Sequence, residues 1–213
     1  MPPETGSQNP STVVFDMGGV LLDWNPRHLY RKLIPEPEKM EQFLASVTTT
    51  QWHVVQDHGG DPAEATRRLQ AEFPAHASLI AAFYDRFDEM CEHAFSDMTE
   101  LVDRLHRAGT PLYLLSNAPA FLDGWLRGPA HKRHPFLGHF RDYVVSGKVG
   151  CSKPAPEIYD LVCRTGRFQP GDAVFIDDVQ ANVEGARSFG MNAIHHRSAD
   201  ETARALRAMG LPI

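Results

Sequence analysis

The chain has 213 residues, a formal net charge of −6, 42% hydrophobic residues and 23% charged residues. That length holds one well-buried core and a modest accessory lobe, and that balance excludes a wholly disordered chain. With a pI of about 6.0, the chain lacks the positive field that nucleic acid or an anionic membrane requires, so neither is expected as a partner.

The N-terminus, MPPETGSQNPS, is polar and proline-rich. It is read as a frayed tail over residues 1–11, neither signal peptide nor anchor, and the cytoplasm is the expected location. The first apolar run, Val13-Val14-Phe15, stops at Asp16 and turns at Gly18-Gly19, the pattern of a buried strand ending in a turn. Residues 25–94 show no strong strand signal. Asp61-Pro62 starts a helix over Ala63 to Phe73, and Leu79, Ile80, Phe83, Phe87 and Met90 fall at helical spacing between His76 and His93. The segment is therefore expected to be a helical insertion.

Beyond it, strands are predicted at Leu112 to Leu115, Tyr143 to Val145, Ala173 to Ile176 and Asn192 to Ile194. Helices are predicted between them: one N-capped by Thr99 and ending at Gly109, then Pro156 to Thr165, Ala181 to Phe189 and Ala203 to Met209. Alternating strands and helices predict a parallel sheet covered on both faces, with ligands beyond the carboxyl ends of its strands. Three widely spaced cysteines, Cys91, Cys151 and Cys163, form no ligand-spaced pair and read as free thiols of a reducing compartment.

The polar residues at those strand ends carry the chemistry. Asp16 closes a strand before glycines, where backbone N–H groups can approach an anion and a carboxylate can attack phosphorus; taken alone, it also fits a turn cap. Asp177-Asp178 places two carboxylates at one strand end, a pair suited to magnesium, although a solvated turn has the same look. Ser116-Asn117 offers a hydroxyl and an amide that could orient a substrate oxygen or cap a helix at Pro119. Lys153, before Pro154, could neutralise a phosphoryl group or stand at the surface. His131, His134 and His139 fit no zinc spacing and read as a solvated loop, and His195-His196 as a surface pair.

In order, the chain gives strand-Asp-x-Gly-Gly, strand-Ser-Asn, Lys-Pro before a helix, and strand-Asp-Asp-x-x-x-Asn. This resembles the four motifs of the haloacid dehalogenase superfamily, over residues 13 to about 194. The resemblance implies an α/β fold: a three-layer Rossmann-like parallel sheet core from residues 12–24 and 95–213, with a small inserted α-helical cap from residues 25–94. It implies a Mg2+-dependent phosphatase acting on a small phosphorylated molecule, similar to sugar-phosphate phosphatases. Asp16 would be nucleophile and metal ligand, joined by the Gly18 carbonyl and Asp178, with Asp177 and Asn182 acting through metal-bound water. Ser116, Asn117 and the N–H groups of Met17 and Gly18 would hold the phosphoryl group, and Lys153 would offset its charge.

One position departs from the pattern. Gly18 stands where phosphatases of this superfamily usually carry a second aspartate as general acid and base, a contribution worth about 10²–10⁴-fold in rate. Asp23, His53 or a metal-bound water are the candidate substitutes. The alternatives are a 2-haloacid dehalogenase and a phospho-ligand-binding protein without turnover. Trp24-Asn25, Gln51-Trp52-His53 and the run Asp57-His58-Gly59-Gly60 are the candidate specificity residues, with hinge and cap packing as the competing role for the two tryptophans.

Overall fold

The computed structural model describes residues 9–213. Most of the expected tail, residues 1–8, lies outside them, while Pro10 is buried and the Ser11 N–H donates to the Asp172 carbonyl at 2.8 Å. Strands β1 (Thr12–Phe15), β2 (Leu112–Ser116), β3 (Asp142–Val145), β4 (Ala173–Asp177) and β5 (Asn192–His195) form one parallel sheet ordered β3-β2-β1-β4-β5. The five apolar runs are thus five strands. β1 is central, with Phe15 opposite Leu114 of β2 and Ile176 of β4. The chain's order of strands reverses there, so the carboxyl ends of β1, β2 and β4 lie side by side at a switch point.

After β1 the chain runs through α1 (Pro26–Leu33), α2 (Pro37–Ser46), α3 (Thr50–Asp57), α4 (Pro62–Glu72) and α5 (Ala77–Asp85). Local chemistry sets their starts. The side chains of Asn25, Thr49 and Asp61 accept from the backbone N–H of Arg27, Trp52 and Ala63, and prolines occupy the first positions of α1, α2 and α4. The helix expected from His76 to His93 instead breaks at Arg86 and continues as a 3₁₀ turn over Phe87–Cys91. Side chains from elsewhere take the backbone carbonyls of that turn: Arg133 donates to Asp88 O at 2.8 Å, and His134 Nε2 lies 2.9 Å from Cys91 O. The segment leaves and rejoins the sheet at neighbouring points. Asp23 N–H bonds to His93 O at 2.9 Å and Phe95 N–H to Leu21 O at 3.0 Å.

The remaining helices are α6 (Ser96–Arg107), the short α7 (Leu122–Arg127) and α8 (Pro129–Arg133), α9 (Ser146–Val149), α10 (Pro156–Gly166), α11 (Gln180–Phe189) and α12 (Ala199–Ala208). Helix α6 begins three residues before the expected Thr99 cap, and the Thr99 hydroxyl donates back to Ser96 O at 2.8 Å. Alternation along the strands divides the core. Val13, Phe15, Leu112, Leu114, Val174 and Ile176 pack with α6 and α12 residues such as Leu101, Leu105 and Leu206. Val14, Leu115 and Phe175 pack with Ile158, Val162 and Val183 of α10 and α11. Helices therefore cover both faces, which gives the expected three-layer α/β arrangement.

Helix α11 approaches the Lys153-Pro154 loop at Gly185, where a Cβ would come within 2.7 Å of the Pro154 carbonyl and 3.2 Å of the Tyr159 hydroxyl. Gly185→Ala should therefore destabilise the fold by about 1–3 kcal/mol through overpacking, as read from urea unfolding.

Candidate active site

Asp16 follows β1, and its N–H bonds to the Ile176 carbonyl at 2.8 Å, so its backbone is tied to β4. The chain then turns: Gly19 N–H donates to Leu22 O, and Leu21 and Leu22 N–H to Met17 O. These bonds do not consume the Gly18 carbonyl. Gly19 has φ +74°, and a Cβ there would lie 2.3 Å from Asp178 Oδ2. Only glycine permits both that backbone path and so close a carboxylate. Gly18 itself is sterically open, with Trp24 Cβ at 3.7 Å as the nearest neighbour of an added Cβ.

Lys153 is the charged centre. Its Nζ lies 2.7 Å from Asp16 Oδ1 and 2.7 Å from Asp177 Oδ2, with only 1% of its side chain exposed. Asn117 fixes the lysine from behind: its Nδ2 donates to the Lys153 carbonyl and its Oδ1 accepts the Lys153 N–H, both at 2.9 Å. The Asn117 amide, expected on the phosphoryl group, is thus spent on holding Lys153. Asp177 is fully buried and accepts from Lys153 Nζ, the Val179 N–H and Asn182 Nδ2. Asn182, expected to act through metal-bound water, here donates to both oxygens of Asp177 at 3.1 Å.

Burial pushes the Asp16 carboxyl up, to about 7, against the pull of the Lys153 ammonium. Burial alone would lower Lys153, but the charges of Asp16 and Asp177 outweigh it and hold its pKa above the usual lysine value. Asp178 is more exposed and is also raised, by burial and then by its neighbour Asp177. One ligand atom from each of Asp16, Asp177 and Asp178 falls within 4.8 Å of the others. Such hard oxygen donors, two carboxylates of them less hydrogen-bonded than Asp177, suit magnesium or a similar divalent cation.

Asp16, Lys153 and Asp178 open into a cavity of about 450 Å³ that Met17, Gly18, Ser116, Asn117 and Asn182 also line, while Asp177 is fully buried. The residues expected as nucleophile, metal ligands and phosphoryl holders therefore meet at one place, whereas Asp23 and Trp52, also singled out in the sequence, do not join them. The opposite wall comes from Trp24 in the loop before α1, from Thr50, His53, Val54 and Asp57 of α3, and from Phe87 of the 3₁₀ turn. Trp24 stacks on His53 with ring centroids 5.1 Å apart. Trp52 does not reach the cavity; it packs on Phe83 and Tyr84, and its Nε1 donates to the Ala65 carbonyl. Asp23 is likewise engaged elsewhere, with its Oδ2 2.8 Å from His28 Nε2.

Asp57 gives no sequence signal as an acid or base, since a lone carboxylate at a helix end carries no motif. His195, expected at the surface, is half-buried and makes an exposed contact there, its Nε2 lying 2.9 Å from the Asp178 carbonyl. The three histidines expected in a solvated loop are each partnered. His131 meets the Tyr143 hydroxyl, His134 is buried on Cys91 O, and His139 pairs with Asp103. The cysteines are free thiols, and among the described residues no helix is long and apolar enough to cross a membrane.

A carboxylate after a central parallel strand, a buried lysine and an acidic pair on the next strand define a hydrolase-type site at the switch point of an α/β sheet. The family model for haloacid dehalogenase-like hydrolases matches residues 10–190, and the chain belongs to that family. Over 92% of its length it is 26% identical to the sesquiterpene phosphatase astK of Aspergillus oryzae, of which it covers 94%. It is 27% identical over 84% of its length to the N-acetylmuramic acid 6-phosphate phosphatase of Pseudomonas aeruginosa, of which it covers 77%. In fold it resembles a HAD family enzyme of Bacteroides thetaiotaomicron, with TM-score 0.72 and 20% identity over 93% of this chain and 99% of that one. That enzyme has also been solved with magnesium and inorganic phosphate (TM-score 0.63, 22% identity, 88% of this chain and 94% of that one).

Two measurements check this electrostatic picture. Lys153→Ala leaves two buried carboxylates unpaired and should cost about 3–5 kcal/mol of stability, read by urea unfolding. Burial lowers His53 from 6.5 to about 4, so the unfolded chain takes up that proton first and stability is lost as pH falls from about 6.5 toward 4. In His53→Phe the stability difference between about pH 8 and pH 5 should shrink by about 2 kcal/mol, read from unfolding curves at both pH values.

Proposed function

We propose that this chain is a magnesium-dependent phosphatase that hydrolyses a small phosphomonoester through an aspartyl-phosphate on Asp16. The helices of residues 25–94 act as the cap over a core made of residues 12–24 and 95–213. The observation that carries the reading is the convergence of Asp16, Asp177 and Asp178 within 4.8 Å around a buried ammonium. Displacement of halide from carbon transfers no phosphoryl group and needs no divalent cation, so it gives the Asp177–Asp178 pair no role.

Asp16, the Gly18 carbonyl and Asp178 would hold Mg2+, which when bound supplies positive charge that favours the ionised carboxylate and the phosphoryl oxygens. Lys153 and the Met17 N–H both engage Asp16 Oδ1, which leaves Oδ2 to attack phosphorus in line. Ser116 and the Gly18 N–H orient the phosphoryl oxygens, the Met17 N–H expected there being taken by Asp16 Oδ1, and Lys153 offsets their charge as the bond to the leaving oxygen lengthens. Water then cleaves the aspartyl-phosphate and restores Asp16.

The alcohol portion sits against Trp24, Thr50, Val54 and Phe87. The Thr50 hydroxyl and the two aromatic faces accommodate a sugar phosphate, in line with the resemblance. The adjoining Val54 and Phe87 equally suit a compact apolar alcohol, in line with the astK relative. A panel of sugar phosphates and short isoprenyl monophosphates decides between them by kcat/KM.

Release of phosphate from p-nitrophenyl phosphate should require Mg2+, stop with EDTA and fall at least about 10³-fold in Asp16→Asn, since the nucleophile itself is lost. Metal-independent turnover, or an active Asp16→Asn, would refute the mechanism.

A further inference from the structure

On the phosphatase reading, on which this inference rests, the leaving oxygen has no proton donor, because position 18 is glycine. Helix α3 carries His53 and Asp57 one turn apart on the same face, and both line the cavity shared with Asp16 and Lys153. The end of α3 is fastened to the core at two points. Ser146 Oγ donates to the Asp57 carbonyl, and Ser152 Oγ lies 2.7 Å from His58 Nδ1. Gly147 allows the close approach, since a Cβ there would stand 3.0 Å from the Gln56 carbonyl. The segment that presents Lys153 thus also positions Asp57.

The Asp57 side chain is left without a bonding role on one of its two oxygens. Its Oδ1 is buried without a hydrogen-bond partner, and a buried orphan acceptor calls for a reason. Its nearest charged or titratable neighbours are His53, with Nε2 at 3.7 Å, Tyr84 of α5, whose hydroxyl lies 3.1 Å from His53 Nδ1, and Lys153 across the cavity.

We propose that Asp57 is the general acid and base of the reaction, supplying from the helical lobe the proton shuttle that Gly18 lacks. In the first half-reaction the bond from Asp16 Oδ2 to phosphorus forms and the ester P–O bond breaks. The leaving oxygen keeps the electron pair and takes the Asp57 proton, which releases the alcohol. In the second, water attacks phosphorus and gives its proton to Asp57 while the bond to Asp16 breaks and phosphate departs. Asp57 ends protonated, as it began.

Two physical features suit Asp57 to this task. Burial raises its carboxyl to about 7, against the opposing charge of Lys153, so at neutral pH both protonation states are accessible. His53 is held neutral by burial, so it does not fix Asp57 as a permanent ion pair.

Leaving-group dependence separates this role from a structural one. The full chain with Mg2+ is assayed on p-nitrophenyl phosphate, whose phenolate departs unprotonated, and on an alkyl phosphate, whose alkoxide needs a proton. In Asp57→Asn, alkyl turnover should fall about 10²–10⁴-fold, while the first-turnover burst of p-nitrophenolate persists within a few-fold. The double variant Gly18→Asp with Asp57→Asn should recover alkyl turnover at least tenfold over Asp57→Asn. Loss of an orphaned buried carboxylate should also raise the Tm of Asp57→Asn at pH 8 by about 2 °C or more. Equal loss on both esters in the first turnover, or no loss on either, overturns the proposal. If Asp57→Asn does not fold, Asp57→Glu must lower the alkyl-to-aryl rate ratio at least tenfold, and an unchanged ratio overturns it. A wild-type chain silent on both esters, or an active Asp16→Asn, is a different result: it sinks the phosphatase reading itself.

Discussion

An ammonium with almost no access to water, held 2.7 Å from each of two carboxylates, is the constraint around which this molecule is organised. Desolvating three charges costs several kcal/mol per ion unless each finds its partner in good geometry. Asp177 meets that condition with Lys153, the Val179 N–H and Asn182. Lys153 meets it with both acids and with Asn117 clamped on its backbone. Asp16 is the least satisfied of the three, and its burial keeps its carboxyl well above the usual range. The network thus concentrates its unfavourable electrostatics on the group proposed to react, and secures the others.

This arrangement depends on the strand order. Because β1 lies between β2 and β4, Asp16, Ser116 and Asp177 stand at adjacent carboxyl ends although about a hundred residues separate the first two in sequence. The loop with Lys153 reaches them only because α11 presents Gly185 to Pro154 and because Asn117 bonds to the loop from the end of β2. Sheet topology and one missing Cβ together bring the charges within bonding distance.

The sheet and the core of the site are legible in the sequence for a physical reason. β-Branched and aromatic runs that stop abruptly at a carboxylate or a hydroxyl mark buried parallel strands and, at once, the places where their ends open. Long-range partnership is not legible. Asn117 and Asn182 are polar residues near a site by any reading, but nothing local says that their amides face Lys153 and Asp177. Helices α1–α3 are equally hidden, because Leu29, Tyr30, Met40 and Phe43 are too sparse to declare a period, and the caps Asn25 and Thr49 only gain meaning once the helices exist. Asp57 is silent for a related reason: its significance is an absence of hydrogen bonds, which no linear pattern encodes.

The antiparallel contact of Asp23 with His93 and of Leu21 with Phe95 makes the two ends of the 25–94 segment near neighbours. A stretch of chain pinned at one spot imposes little tension on the scaffold it departs from, and lengthening it costs only a slowly growing closure entropy. The helical lobe can thereby be altered with little disturbance to the sheet and the charged centre. If the proton shuttle belongs to that lobe, specificity and acid–base chemistry would be exchanged together, as one portable unit.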